Sequence, residues 1–438
     1  MVGTDTSLGV TAGQAERSTS TVARQTENAG HFRLLETPHL KHVWHSALLD
    51  AFLTTWLPHS LVRECSKGGG TEAGIPMSAW PSIAWKVARE NENGLVAQSL
   101  LCLTLAVLGV RTENVTLRAE ASRQYGRVLH QFQYQVALLA QTGYIPDQAG
   151  HVASLVAAGF CCSQIEYILR SWTNGDRHLE GIGSIVQACG SLCLECPDIR
   201  KLSLDHRLLW TSCLVVHHRR PIESETLATQ VGGTDDPTQA LVAIAAGLAS
   251  LLERQDASLE QLGLEGTHEF LLQFSQIDTQ LDAFLGKQPL IEEPRELDRG
   301  SRAGLDFDPD RLKATVMHGY ALALHIQTVA AAWQMLRSCD VRSKTFNSDL
   351  PQTEDQSRAT CELRVRQLCL TVTGLANERY GMVTASPLLF MIDSAFLGYT
   401  VLARYDGYDL TEIRGWFTQI GAYMASTGYR PLREPWLE

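Results

Sequence analysis

Residues 152–187 read VASLVAAGFCCSQIEYILRSWTNGDRHLEGIGSIVQ, and the recurrence of their apolar positions decides the fold. Val152, Leu155, Val156, Gly159 and Phe160 fall at i, i+3, i+4, i+7 and i+8, one apolar stripe of a helix that faces a core. Trp172 reads as the close of that helix. Asn174-Gly175-Asp176 then makes a tight turn, and the Asp176 carboxylate caps the next helix. Leu179, Ile182, Ile185 and Val186 give that second helix its own apolar face, so the two pack antiparallel. Leu204 to His218 forms a third helix. Its basic end, His217-His218-Arg219-Arg220, suits the negative end of the helix dipole, and Pro221 bars continuation.

Upstream, Val43, Trp44, Ala47, Leu48, Ala51, Phe52 and Thr55 keep a helical period until Pro58. Gly68-Gly69-Gly70 and the prolines at 76 and 81 read as a loop. Leu95 to Val110 is the most apolar window; it spans only about 24 Å as a helix and carries Gln98, Ser99 and Thr104, which predicts a buried core helix. Ala121, Tyr125, Val128, Phe132, Gln135 and Leu139 form the seam of a long helix that Gly143 and Pro146 end.

Downstream, polar loops at about 221–238, 286–309 and 340–357 separate helices at roughly 239–254, 266–285, 310–338, 358–379, 387–404 and 409–427. The 310–338 helix is apolar nearly all round, as expected of a central strut. No sustained strand alternation occurs. The expectation is an all-α helical array of antiparallel helix pairs without significant sheet. Residues 1–30 lack the apolar content to order and are expected to be a disordered tail; residues 31–438 form the helical region, with 286–309 as its possible subdivision.

Length and composition set further bounds. The chain has 438 residues, 45% hydrophobic and 19% charged, an ordinary balance for a soluble globular protein. A formal net charge of −11 argues against a broad nucleic-acid surface, which needs clustered Lys and Arg. Eleven cysteines, an odd number lying mostly within apolar helical pattern, fit buried thiols in a reducing compartment. No apolar run opens the chain as a secretory signal would.

The order of parts in the central stretch resembles the regulatory region of fungal zinc-cluster transcription factors. In that family a helix ends in Trp (here Trp172), the next opens with His-Leu and a small residue (His178, Leu179, Gly181), and a later helix ends in Arg-Arg-Pro (Arg219, Arg220, Pro221). The likeness extends more weakly over residues 31–430, through Tyr125-Gly126-Arg127 with Leu129, and Glu378-Arg379-Tyr380 before Ser386-Pro387-Leu388. These motifs report packing, not catalysis. The family's DNA-reading module needs six cysteines in a compact N-terminal run, and this chain has only Cys65 before Cys102. Direct sequence-specific DNA binding is therefore not expected.

Candidate chemistry is sparse. Cys189 and Cys193, read as one turn apart on a helix, and Cys196 with His206 offer zinc-type donors at poor spacing, and Asp306, Asp308 and Asp310 open like a calcium loop that lacks its glycine and closing glutamate. No metal or cofactor is expected. Asp235-Asp236-Pro237 departs from the paired-aspartate motif of helical terpene cyclases. His318 and His325, seven apart near Tyr320, are read either as satisfied core histidines or as an acid and base lining a cavity. Trp172 with His178 either fixes the helix corner or presents a polar tip beside an aromatic wall in an interhelical pocket.

Two functions follow as expectations. The resemblance implies a nuclear transcription-regulator-like protein that controls a secondary-metabolite gene cluster through a partner factor or self-association. The alternative is a helical scaffold reused, in the cytoplasm, as a cofactor-independent cyclase or isomerase of an apolar metabolite, with His178, His318 and His325 as the candidate catalytic residues. Either could take an apolar small-molecule ligand, and neither calls for a membrane.

Overall fold

The computed structural model describes residues 38–57, 79–142, 149–169, 172–219, 237–258, 264–287, 309–338, 354–376, 382, 385–404 and 411–429. Within them lie thirteen α-helices and no strand, the all-α class that the periodicity predicts. The predicted tail over 1–30 lies outside the described residues, as does the predicted seam over 286–309 apart from the helix ends that flank it.

The chain first lays down α1 (Pro38–Trp56), α2 (Ala79–Glu90), α3 (Leu95–Arg111) and α4 (Val115–Thr142). In the middle come α5 (Ala149–Leu169), α6 (Trp172–Leu194) and α7 (Pro197–Val216). The array is completed by α8 (Pro237–Ser258), α9 (Leu264–Lys287), α10 (Pro309–Ser338), α11 (Glu354–Leu375), α12 (Ala385–Leu402) and α13 (Thr411–Thr427). Every helix packs against its successor. The buried apolar side chains form one connected cluster.

α5 and α10 are the struts at its centre, buried on nearly every residue between 152 and 168 and between 316 and 333. α5 is long and apolar enough to cross a membrane, yet here α2, α3, α4, α6 and α7 cover the surface that would meet lipid. α3 is buried almost as fully. It keeps two hydroxyls inside by turning them back on its own carbonyls, Ser99 to Leu95 and Thr104 to Leu100, each at 2.8 Å.

Three local readings are corrected. Residues 79–81 are not loop: they open α2, where Pro81 occupies the first turn and no intrahelical donor is missed. The cap comes from 125 residues away, since the buried Asp205 carboxylate on α7 accepts the Trp80 backbone N–H at 3.0 Å. Trp172 does not close α5; that helix stops at Leu169, and Trp172 is the first residue of α6. Asn174-Gly175-Asp176 is accordingly helix, not turn. Finally, Cys189 and Cys193 do not sit one turn apart on a regular helix, because Gly190 between them takes φ 63° and ψ −161° and breaks α6.

The end of α7 follows the sequence reading. His217 is its C-cap, His218 takes φ 49°, and the N–H groups of His218 and Arg219 reach back to the carbonyls of Val215 and Leu214 at 3.3 and 2.9 Å. This is a Schellman closure, with histidine in the left-handed position where glycine is usual.

Candidate functional site

Side chains of α5, α6 and α7 converge on Asp176, in the first turns of α6 near the positive end of its dipole. The Tyr167 hydroxyl donates to Asp176 Oδ1 at 2.8 Å, and the Cys213 thiol donates to the same oxygen at 3.5 Å. His217 Nε2 lies 2.8 Å from Oδ2. Gly175 makes this possible through close approach: a Cβ there would stand 2.3 Å from the Tyr167 ring. Burial, and then the Asp176 charge, push the Cys213 thiol well up, so the group is a neutral donor and not a thiolate nucleophile. Burial pushes the Tyr167 phenol up in the same way.

Beside this cluster lies a mostly apolar cavity of about 50 Å³, walled by Leu179, Leu209, Val216 and Phe390. Its more exposed end carries Asp176 and His217, and its buried end carries Tyr320 of α10, 1% exposed. The Tyr320 hydroxyl lies beside Ser212 and Cys213 with almost no accessible surface of its own, and it does not receive the Ser212 proton. The Ser212 proton goes instead to the Leu208 carbonyl at 2.7 Å. Burial holds the Tyr320 phenol above its ordinary pKa, so it keeps its proton.

None of His178, His318 and His325 lines this cavity, and the three are not brought together. His178 Nε2 is 2.8 Å from the Tyr125 hydroxyl, which donates onward to Glu166 Oε1 at 2.8 Å. The chain joins α6, α4 and α5. It is consistent with neutral His178 donating from Nε2, since burial pulls its pKa down. Its corner role thus reaches across to α4 and not to the preceding turn. Gly181 is half-exposed, with nothing within 4 Å of a Cβ built there, and the Trp172 side chain lies outside the described residues.

His325 is wholly buried. Its Nε2 lies 3.2 Å from Asp282, and its Nδ1 lies 3.0 Å from Asp278 but off the line of a hydrogen bond. Arg364 of α11 reaches Asp282 at 2.6 Å. A metal bound by a histidine takes one ring nitrogen, whereas these carboxylates stand at different nitrogens and Asp282 already has its cation. The arrangement suits a polar tie between α9, α10 and α11, in which Arg364 and Asp282 form the ion pair. His318 is half-buried, two turns and roughly 10 Å along α10 from His325, too far for the two to share one small reacting group. Burial, then Arg364, pulls its pKa down.

No family model matches the chain, and neither does any curated protein or solved structure. The geometry must therefore speak alone.

Of the zinc-type donors, His206 is committed to the Leu179 carbonyl at 2.7 Å and stacks on Trp210. The Cys193 side chain lies outside the described residues, as do Asp235, Asp236, Asp306 and Asp308. The site that does assemble is one that sequence reasoning did not join. The pattern placed Asp176 and His217 as separate capping residues, although Asp176 is the fifth residue of α6 and not its cap, and Tyr320 appeared only as a neighbour of His318. Tyr167 and Cys213 carry no motif. Their meeting depends on how α7 lies against α5 and α6, which no local spacing encodes.

Proposed function

We propose that this chain acts by binding, as a transcription-regulator-like protein of the zinc-cluster regulatory type, working in the nucleus on secondary-metabolite genes through a partner factor. One observation carries the reading: Asp176 and His178, titratable residues at the start of α6 within the resemblance stretch, are spent on helix corners. Asp176 is taken by Tyr167, Cys213 and His217, and His178 by Tyr125. A motif that fixes the crossing of helices is what a binding array needs. The charge of −11 favours a protein partner over direct contact with DNA phosphates. The test is deletion of the gene in its host with transcripts and metabolites followed together. Loss of one pathway's messenger RNAs is expected; unchanged transcripts with one accumulated intermediate would overturn the reading.

The second reading, a cofactor-independent cyclase or isomerase, has one observation in its favour. The Asp176–His217 pair stands at the open end of an apolar cavity with a protonated phenol at its floor. His217 Nδ1 would take a proton from a substrate held in that cavity. On this reading His217→Gln abolishes turnover with folding intact, and a variant that retained full turnover would remove the pair from the chemistry.

A further inference from the structure

We infer that the outer face of α4 is a docking surface for an acidic amphipathic helix of a partner protein. α3 and α4 run antiparallel through the turn at 112–114, with the Cys102 thiol on the Ala121 carbonyl, but α3 has 17 residues and α4 has 28. At the helical rise, the last turns of α4, roughly 16 Å of it, run past the start of α3. There α5 holds one side of the helix, where Phe132 stands close to Gly159 and Leu139 is buried. Tyr134 and Leu138, one turn apart on the other side, are 66% and 42% exposed. With Val115 they make three of the six large apolar side chains that stand exposed among the described residues, so such exposure is concentrated on this helix.

Charge decides the occupant. Arg123, Arg127 and His130, all exposed, precede Tyr134 and Leu138 at steps of three or four residues, so the five side chains form one stripe about 22 Å long. Cations outnumber anions on it. Glu120, the one carboxylate of α4, is spent on Arg123 at 2.5 Å; α3 has none, and α5 has only Glu166, which is buried and accepts the Tyr125 hydroxyl. The chain as a whole carries −11, so this ridge is a positive patch on an acidic protein. Guanidinium groups at one end and an aromatic ring with a leucine at the other match a helix that presents carboxylates and then apolar side chains at the same spacing. Nucleic acid fits less well, because two arginines, one already paired, neutralise few phosphates and a phosphate backbone offers Leu138 nothing. The inference rests on the regulatory reading for the existence of a partner and names the face that the partner takes.

The probe is a short synthetic helical peptide with two glutamates and then two leucines along one face, and its twin with lysines in place of the glutamates. Fluorescence anisotropy on the full chain at physiological salt should show saturable binding of the acidic peptide and roughly 10-fold weaker binding of the twin. Arg123→Glu with Arg127→Glu should reverse that order. Tyr134→Ser with Leu138→Ser should weaken the acidic peptide by roughly 10-fold or more. These positions face solvent, and near-UV circular dichroism confirms that each variant is folded. Absence of saturable binding, equal binding of the two peptides, or an unchanged order in the arginine variant would each overturn the assignment. Sedimentation run alongside adds one more outcome: a parent dimer that Tyr134→Ser with Leu138→Ser dissociates would give the face to a second copy and overturn it too. Because the peptide measurement uses the purified chain, its failure removes the docking face alone, whereas the transcript experiment removes the regulatory reading alone.

Discussion

His206 has its ring inside the array, 4% exposed, with Nε2 on the Leu179 carbonyl. Burial pulls its pKa from 6.5 down to about 4, so it is neutral in the native state. The unfolded chain protonates this histidine below 6.5. Between there and about 4 the unfolded state binds the extra proton, so stability falls as pH falls through that window and levels below it. Full stability from this source is present above 6.5. His178 and His318 move in the same direction, with burial the first cause in each. The His206 share is at most roughly 3 kcal/mol. Denaturant unfolding followed from neutral pH to about pH 4 should show the loss, and His206→Gln should flatten it relative to the parent. A variant with the parent's slope would mean that His206 is solvated.

α2 and the start of α6 are the two elements whose local sequence misleads, for different reasons. Pro81, following Gly68-Gly69-Gly70 and Pro76, makes residues 79–81 read as loop, and the carboxylate that accepts the Trp80 N–H belongs to another helix. Asp205→Ala should cost about 1–2 kcal/mol, the usual worth of an N-cap, and speed amide exchange at the beginning of α2; exchange quickened only in α7, where Asp205 resides, would refute the tertiary cap. At α6, Asn-Gly suggests a turn because glycine most often serves positive φ. Gly175 serves instead as the flat spot under the Tyr167 ring. Gly175→Ala leaves helix propensity no worse, yet it should displace Tyr167 from Asp176 and destabilise the protein by about 1–3 kcal/mol, the range for overpacking a filled core. Melting unchanged from the parent would show that the ring can step aside freely. Where an apolar run or period bounded by polar loops sufficed, as in α3, α9 and α10, the helices stand within a few residues of their predicted bounds.

At the scale of the whole molecule, the class was legible because apolar period 3.6 survives any tertiary arrangement, and the central burial of α10 because that helix is apolar nearly all round. The closure of the chain end on its beginning was not, since nothing in residues 411–429 names a partner. Gly428 takes φ 91° after α13 and turns Tyr429 inward, where it is fully buried. The Tyr429 hydroxyl donates to the Gln164 side chain of α5, and its ring meets the edge of Trp56, which packs on Trp80 and through it on Phe160. One aromatic column thus ties α1, α2 and α5 to the segment after α13, and α13 itself lies on α3. If that column couples the two ends, Tyr429→Ala should cost about 3–5 kcal/mol, as deletion of a large buried aromatic does. It should also lower the amide protection of α1 and α2 together with that of α13. Tyr429→Phe, which keeps the ring and loses only the bond to Gln164, should cost about 1–3 kcal/mol and leave the pattern of protection intact. Native-state hydrogen exchange reads both outcomes at once: faster exchange confined to α13 would mean that the last turn frays by itself and that the N-terminal helices stand without it.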